Sequence, residues 1–176
     1  ALHKFPDLKL VIAPRHPERF DEVEALIKKS GLAYERSSTL NRWEAERLNT
    51  VAEYQIILMD TMGDLASAYA VADIAIVGGS FIAHGGQNPL EPAYWGKAII
   101  CGPHMFNFPF FYELAETGAV RLSSEQALAD DIIMLLENPA LCAQMGNAAR
   151  AFLAQNAGAT DRTLDIVNAM TSSRSV

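Results

Sequence analysis

Apolar residues in this 176-residue chain come in short continuous runs, separated by segments where they recur roughly every three or four positions. That alternation is expected of buried strands joined by amphipathic helices. Leu8 to Ala13 is the first run and predicts a strand buried on both faces. From Glu18 to Lys29, Phe20, Val23, Leu26 and Ile27 fall at helical spacing, and Ser30-Gly31 supplies the stop. Leu32 to Ser37 reads as a short strand, and the polar stretch through Asn41, Arg42, Trp43 and Glu44 as a connecting loop.

The unit then repeats. Gln55 to Met59 predicts a strand, the turn Asp60 to Asp64 follows, and Leu65, Ala68, Tyr69 and Ala72 mark a helix. Asp73 to Val77 is a further strand, leading through a glycine-rich loop to a helix over Leu90 to Trp95 that Gly96 ends. Lys97 to Cys101 is the next strand. Gly102-Pro103-His104 and an aromatic segment, Phe106 to Tyr112, lead into a helix ending near Gly118, and a last strand lies around Val120. Glu125 to Leu136 predicts a helix with Leu128, Ile132, Leu135 and Leu136 on one face; Asn138-Pro139 breaks it before another carrying Leu141, Met145, Phe152 and Leu153.

Strands alternating with helices through short turns predict an α/β fold, a Rossmann-like doubly wound parallel sheet that binds ligands at the carboxyl ends of its strands. We expect one domain over residues 1–170 and a disordered polar tail from Thr171 to Val176. The chain starts Ala1-Leu2-His3 without an initiator Met, which suits a piece of a longer protein. No apolar run nears the ~18 residues that span a bilayer, so the piece itself is expected to be soluble.

Charge narrows the partners. Lys and Arg number 14 against 21 Asp and Glu, a net charge of -7, which disfavours nucleic acid. An anionic small molecule remains compatible, because a local basic cluster such as Arg15, His16 and Arg19 governs its binding. Cys101 and Cys142 belong to no C-x-x-C or C-x-x-H pattern and read as packed thiols. His3, His16, His84 and His104 lie in four separate segments without metal-site spacing, so no metal centre is expected.

Candidate chemistry sits in the turns that follow strands. Gly78-Gly79-Ser80-Phe81-Ile82-Ala83-His84-Gly85-Gly86-Gln87-Asn88-Pro89-Leu90-Glu91-Pro92 brings nearly bare backbone to the start of a helix, which suits a phosphate or a sugar hydroxyl. Within it, Asn88 and Glu91 fit either a capping box or a pair facing a ligand, where the carboxylate accepts from the vicinal hydroxyls of a ribose. His84 suits either polarising a ligand oxygen or bonding the loop's own backbone. The turn Thr61-Met62-Gly63-Asp64 offers either anion-binding donors or a helix cap by Thr61. Pro14-Arg15-His16-Pro17-Glu18-Arg19 places two guanidinium groups and an imidazole after the first strand, suited to a phosphate or carboxylate. There is no G-x-G-x-x-G dinucleotide fingerprint, no G-x-x-x-x-G-K-[ST] loop and no G-x-S-x-G elbow.

Taken in order, Pro14 to Phe20, Asp60-Thr61-Met62-Gly63-Asp64-Leu65, Gly78-Gly79-Ser80, His84-Gly85-Gly86-Gln87-Asn88-Pro89-Leu90-Glu91-Pro92 and Gly102-Pro103-His104 with Phe106-Asn107-Phe108 resemble the 3-deoxy-D-manno-octulosonic acid (Kdo) transferases. The resemblance runs over nearly the whole chain. It implies the C-terminal, donor-binding domain of a GT-B glycosyltransferase. That enzyme class transfers Kdo from CMP-Kdo to the lipid A precursor in lipopolysaccharide biosynthesis, at the cytoplasmic face of the inner membrane of Gram-negative bacteria, without a catalytic metal or other cofactor. It also implies that the catalytic carboxylate, the lipid A precursor site and the membrane-contacting surface belong to an N-terminal domain, so that this chain alone is inactive.

By position, the resemblance assigns Arg15 and His16 to the phosphate or Kdo carboxylate, and Met62 and Gly63 to the cytidine and phosphate pocket. Ser80 and the backbones of Gly79 and Gly85 approach donor oxygens, and Asn88 and Glu91 hold the ribose. Asp64 departs from the glutamate associated with this turn. The alternatives are a UDP-sugar-binding domain of another GT-B transferase or an epimerase, and a non-catalytic ligand-binding domain in which the glycine loop is only a tight turn.

Overall fold

The computed structural model describes residues 1–2, 4–40, 53–158, 163–164 and 167–168. His3, the stretch containing Asn41 to Glu44 and the tail from Thr171 lie outside these. The chain divides into two compact units, Ala1–Ala72 and Asp73–Val176.

The first unit holds three parallel strands, β1 (Leu10–Ile12), β2 (Tyr34–Arg36) and β3 (Ile56–Leu58), in the order β1-β3-β2. Leu10 faces Ile56 across one ladder and Tyr34 faces Ile56 across the other. A 3-10 turn, Pro17–Arg19, leads into α1 (Phe20–Ser30), and α2 (Leu65–Val71) follows β3. Gly31 ends α1 in the left-handed conformation, as the sequence predicts.

The small core of this unit is Ile27, Ile56 and Leu58, with Ile12, Val23, Leu32 and Tyr34 against it. Two expectations of burial are corrected here. β1 is not covered on both faces: Leu10 and Val11 are 39% and 43% exposed, because α1 packs its apolar face on Ile56 and Leu58 of β3, with Ile12 of β1 at the margin of that cluster. Leu26 is also exposed. Val23 and Ile27, four residues apart, share the face of α1 that meets β3, and Leu26 is turned from the middle of that face by a little under a quarter of a revolution.

The second unit is built on β4 (Ile74–Ile76), β5 (Ala98–Cys101) and β6 (Val120–Leu122), parallel and in that order. Its helices are α3 (Leu90–Tyr94), α4 (Phe111–Glu116), α5 (Leu128–Leu136) and α6 (Pro139–Asn156). Every residue of β5 is buried. Alternate side chains serve opposite faces, as pleating requires. Ile99 and Cys101 pack with Phe111, Leu114, Ala149 and Phe152, while Ala98 and Ile100 pack with Leu135 and Met145.

Helices therefore cover both faces of β5, the doubly wound arrangement predicted from the unbroken apolar run. Each buried Ile, Leu or Phe contributes about 1.5–3 kcal/mol. α5 begins at Leu128, three residues later than its periodicity suggests, because the backbone of 125–127 folds against Ser124, whose Oγ accepts from Ala127 N at 3.2 Å. Asn138 caps α6, accepting from Leu141 N at 3.0 Å.

Candidate functional site

In the second unit the loop from Gly78 to Asn88 leaves the carboxyl end of β4, and the loop from Gly102 to Phe110 leaves the carboxyl end of β5. Parallel pairing of the two strands puts these exits side by side, and hydrogen bonds tie them together. Ser80 is fully buried; its hydroxyl donates to Val77 O at 2.6 Å and accepts from Gly102 N at 2.8 Å. His104 N donates to Ser80 O at 2.9 Å, and Gly86 N donates to Gly79 O at 3.0 Å. Gly102 carries no Cβ because one would collide with the backbone carbonyl of Ser80.

This geometry corrects the expectation for Ser80. Its hydroxyl is committed to the framework beneath the loop instead of facing donor oxygens. Gly79 and Gly85 both have positive φ, 69° and 87°, and their backbones shape the loop. Gly85 is buried against the side chain of Asn107, with which any Cβ would clash. Asn107 Nδ2 donates to His84 O at 3.1 Å, and Asn107 N donates to Gly85 O at 3.3 Å.

His84 and Asn88 of this loop and Glu91 of α3 are each exposed. The capping box is only half formed. Asn88 Oδ1 accepts from Leu90 N at 3.1 Å, but Pro89 is the residue preceding α3, which makes Glu91 the second helical residue. The residue at the capping position is a proline, which has no N–H for the Glu91 carboxylate to reach back to, and no described residue pairs with that carboxylate. Pro89 and Pro92 are buried and fix the start of α3.

In the first unit the candidate residues again cluster at strand exits. β1 and β3 are neighbours, with Ile12 opposite Leu58 and Met59 N donating to Ile12 O at 2.8 Å. Arg15 and His16 follow the first of these strands, Met62 and Gly63 the second. Arg15 is exposed, and His16 Nδ1 lies 3.9 Å from Glu18 Oε1. Arg19, the third member of the basic cluster, is engaged by Glu22 of the next turn at 3.1 Å.

Met62 is 73% exposed and Gly63 has φ 89°. Thr61 does not cap α2: its hydroxyl meets Ser37 Oγ at 3.3 Å, and Asp64 occupies the capping position without a side-chain cap bond.

Asp60 organises this turn, and the sequence reading passed over it. Its carboxylate accepts from Ser38 N at 2.9 Å, Ser38 Oγ at 2.7 Å and Ser37 Oγ at 3.1 Å, and Arg36 Nη1 lies 3.6 Å away. Burial works to raise its pKa, but the hydrogen bonds from Ser38 and Ser37 outweigh burial and hold it below the ordinary Asp value. Arg36 also reaches Glu24 and Asp21 of α1. The signal in the sequence was an acidic residue directly after one strand and a Ser-Ser pair directly after its neighbour.

Parallel strands alternating with helices, with a glycine-rich loop and basic turns at the carboxyl ends, define the Rossmann-like α/β architecture of the C-terminal domain of GT-B glycosyltransferases. The chain belongs to the family of glycosyl transferases group 1, which residues 1–152 match.

Among its relatives, it is 42% identical over 169 residues to the 3-deoxy-D-manno-octulosonic acid transferase of Haemophilus influenzae, covering 94% of this chain and 38% of that protein. It is 41% identical over 158 residues to the enzyme of the same name from Bordetella pertussis, covering 89% and 36%. Among solved structures it is similar to the C-terminal CMP-Kdo binding domain of WaaA from Acinetobacter baumannii, with TM-score 0.76 and 31% identity over 86% of this chain and 77% of that one. The chain thus spans less than two fifths of the length of the two transferases. Among the described residues no helix is long and apolar enough to cross a membrane.

Proposed function

We propose that this chain is the donor-binding portion of a glycosyltransferase that moves Kdo from CMP-Kdo to the lipid A precursor in lipopolysaccharide biosynthesis. The observation that carries this reading is the similarity to Kdo transferases over 94% of the chain, joined to the fold match with a CMP-Kdo binding domain. Residues 1–170 serve as the nucleotide-sugar domain. Catalysis and the lipid acceptor belong to a further domain of the parent enzyme, which works at the cytoplasmic face of the inner membrane through peripheral association.

The exposed side chains have the chemistry this requires. Arg15 and His16 offer donors to the phosphate or the Kdo carboxylate. Met62 presents an apolar surface to the cytosine ring, with the Gly63 backbone beside it. Glu91 accepts from the ribose hydroxyls, Asn88 assists it, and His84 with the Gly79 and Gly85 backbones meets donor oxygens. Ser80 acts from below, by holding the loop.

Isothermal titration of the chain tests the reading. CMP is expected to bind in preference to UMP, with Glu91→Ala and Arg15→Ala each weakening it about tenfold, the size of a lost hydrogen bond to a charged group. Absence of heat with CMP, or equal affinity for UMP, would overturn it.

A further inference from the structure

The glycine loop contains a peptide unit whose two ends are used differently, and Asn107 is the reason. The carbonyl of His84 accepts from Asn107 Nδ2 at 3.1 Å, and the next carbonyl, Gly85 O, accepts from Asn107 N at 3.3 Å. Two successive carbonyls are thereby drawn toward the loop after β5. In a trans peptide the N–H points opposite to its C=O, so the amides of Gly85 and Gly86 face away from Asn107. Gly86 N–H finds Gly79 O at 3.0 Å. Gly85 N–H has no hydrogen-bond acceptor among the described residues, although Gly85 is buried. A buried donor left without an acceptor costs free energy unless something else supplies one.

We infer that Asn107 is a positioning residue for ligand binding: by gripping the carbonyls of His84 and Gly85 it aims the Gly85 amide as a preset donor toward a phosphate or sugar oxygen. The inference rests on the donor-binding reading and names the group that turns one loop amide toward ligand. Three features support it together. The side chain of Asn107 fills the space where a Gly85 Cβ would stand, so residue 85 is held close to it. The φ of 87° at Gly85 turns the chain between the two gripped carbonyls. Met105, fully buried, lies against Gly86 two residues before Asn107, which anchors the gripping loop itself.

The test compares the chain with Asn107→Leu, a neutral side chain of similar size without a donor, and with Asn107→Ala, in CMP titrations followed by calorimetry and by the amide resonances of Gly85 and Gly63. Expected for the unaltered chain is a shift of the Gly85 amide proton on adding CMP. In both variants affinity falls about tenfold, the Gly85 response shrinks, and the Gly63 response at saturation persists. Asn107→Leu preserves the packing against Gly85, so a purely space-filling role predicts unaltered affinity and an unaltered Gly85 response, which would overturn the inference. If CMP binds the unaltered chain but leaves the Gly85 amide unmoved, the inference fails and the donor reading stands. If CMP does not bind at all, both fail.

Discussion

The carboxylate of Asp60 grips Ser38 twice, accepting from its backbone amide at 2.9 Å and its hydroxyl at 2.7 Å, and so fastens the exit of β2 to the exit of β3. The turn bearing Met62 and Gly63 starts from this clasp. Asp60→Ala removes the acceptor for both Ser38 and Ser37 and is expected to destabilise the chain by about 1–2 kcal/mol. Asp60→Asn, which retains one carbonyl acceptor, loses less. Urea denaturation of the two variants checks the order, and equal midpoints for Asp60→Ala and the unaltered chain would refute the clasp.

Acid should expose a second cluster. Arg36, Lys28 and Tyr34 donate to Glu24 and lower its pKa from 4.5 to about 2, the Arg36 bond being the largest cause. A carboxyl depressed in the folded state stabilises it above the unfolded pKa and gives up that stability as pH falls through the folded value. The loss contributed by Glu24 therefore falls between about pH 4.5 and about pH 2. Unfolding midpoints of the chain and of Glu24→Gln should differ at neutral pH and approach one another across that window. Curves that stay parallel down to the acid end would contradict this assignment.

Neighbouring residues at the start of α3 should separate stability from binding. Asn88 bonds Leu90 N, so Asn88→Ala is expected to cost about 1 kcal/mol of stability as well as affinity for CMP. Glu91 has no described partner, so Glu91→Ala should leave the melting temperature nearly unchanged while affinity falls. Thermal melts and titrations on the same two samples decide the matter; a large stability loss in Glu91→Ala would assign that carboxylate to the fold.

At Gly146 the constraint is close approach. A Cβ there would collide with the carbonyl of Gly96, and Arg150 on the same helix donates to Trp95 O at 2.9 Å. α6 thus seats on the turn that ends α3. Gly146→Ala should lower stability by about 1–3 kcal/mol through overpacking, which a shift in the urea midpoint would measure. An unchanged midpoint would show that the helix slides to accept the methyl group.

What the sequence discloses, and what it hides, divides by distance along the chain. The Ala98-Ile99-Ile100-Cys101 strand was readable because burial on both faces leaves no polar position. Gly31 and Gly96 were readable as helix stops because left-handed φ is a local demand on one residue. The exposure of Leu26 was not, since spacing marks an apolar stripe without saying how wide a surface it meets. Ser80 sits in a run that reads locally as ligand-facing, yet its fate is decided by Gly102, 22 residues on. The same holds for Asp60 with Ser38 and for Asn107 with His84, whose partners lie 22 and 23 residues away. Helix stops and buried strands carry local signatures; residues that tie one strand exit to the next become visible only when the strands are paired.

Because the Ser80 hydroxyl is lodged between Val77 and Gly102, the crossovers leaving β4 and β5 behave as one mechanical body. Displacing either would strip a buried oxygen and a buried amide of their partners at once. In the proposed donor site, discrimination between ligands therefore falls to the few side chains that stand clear of this shared framework.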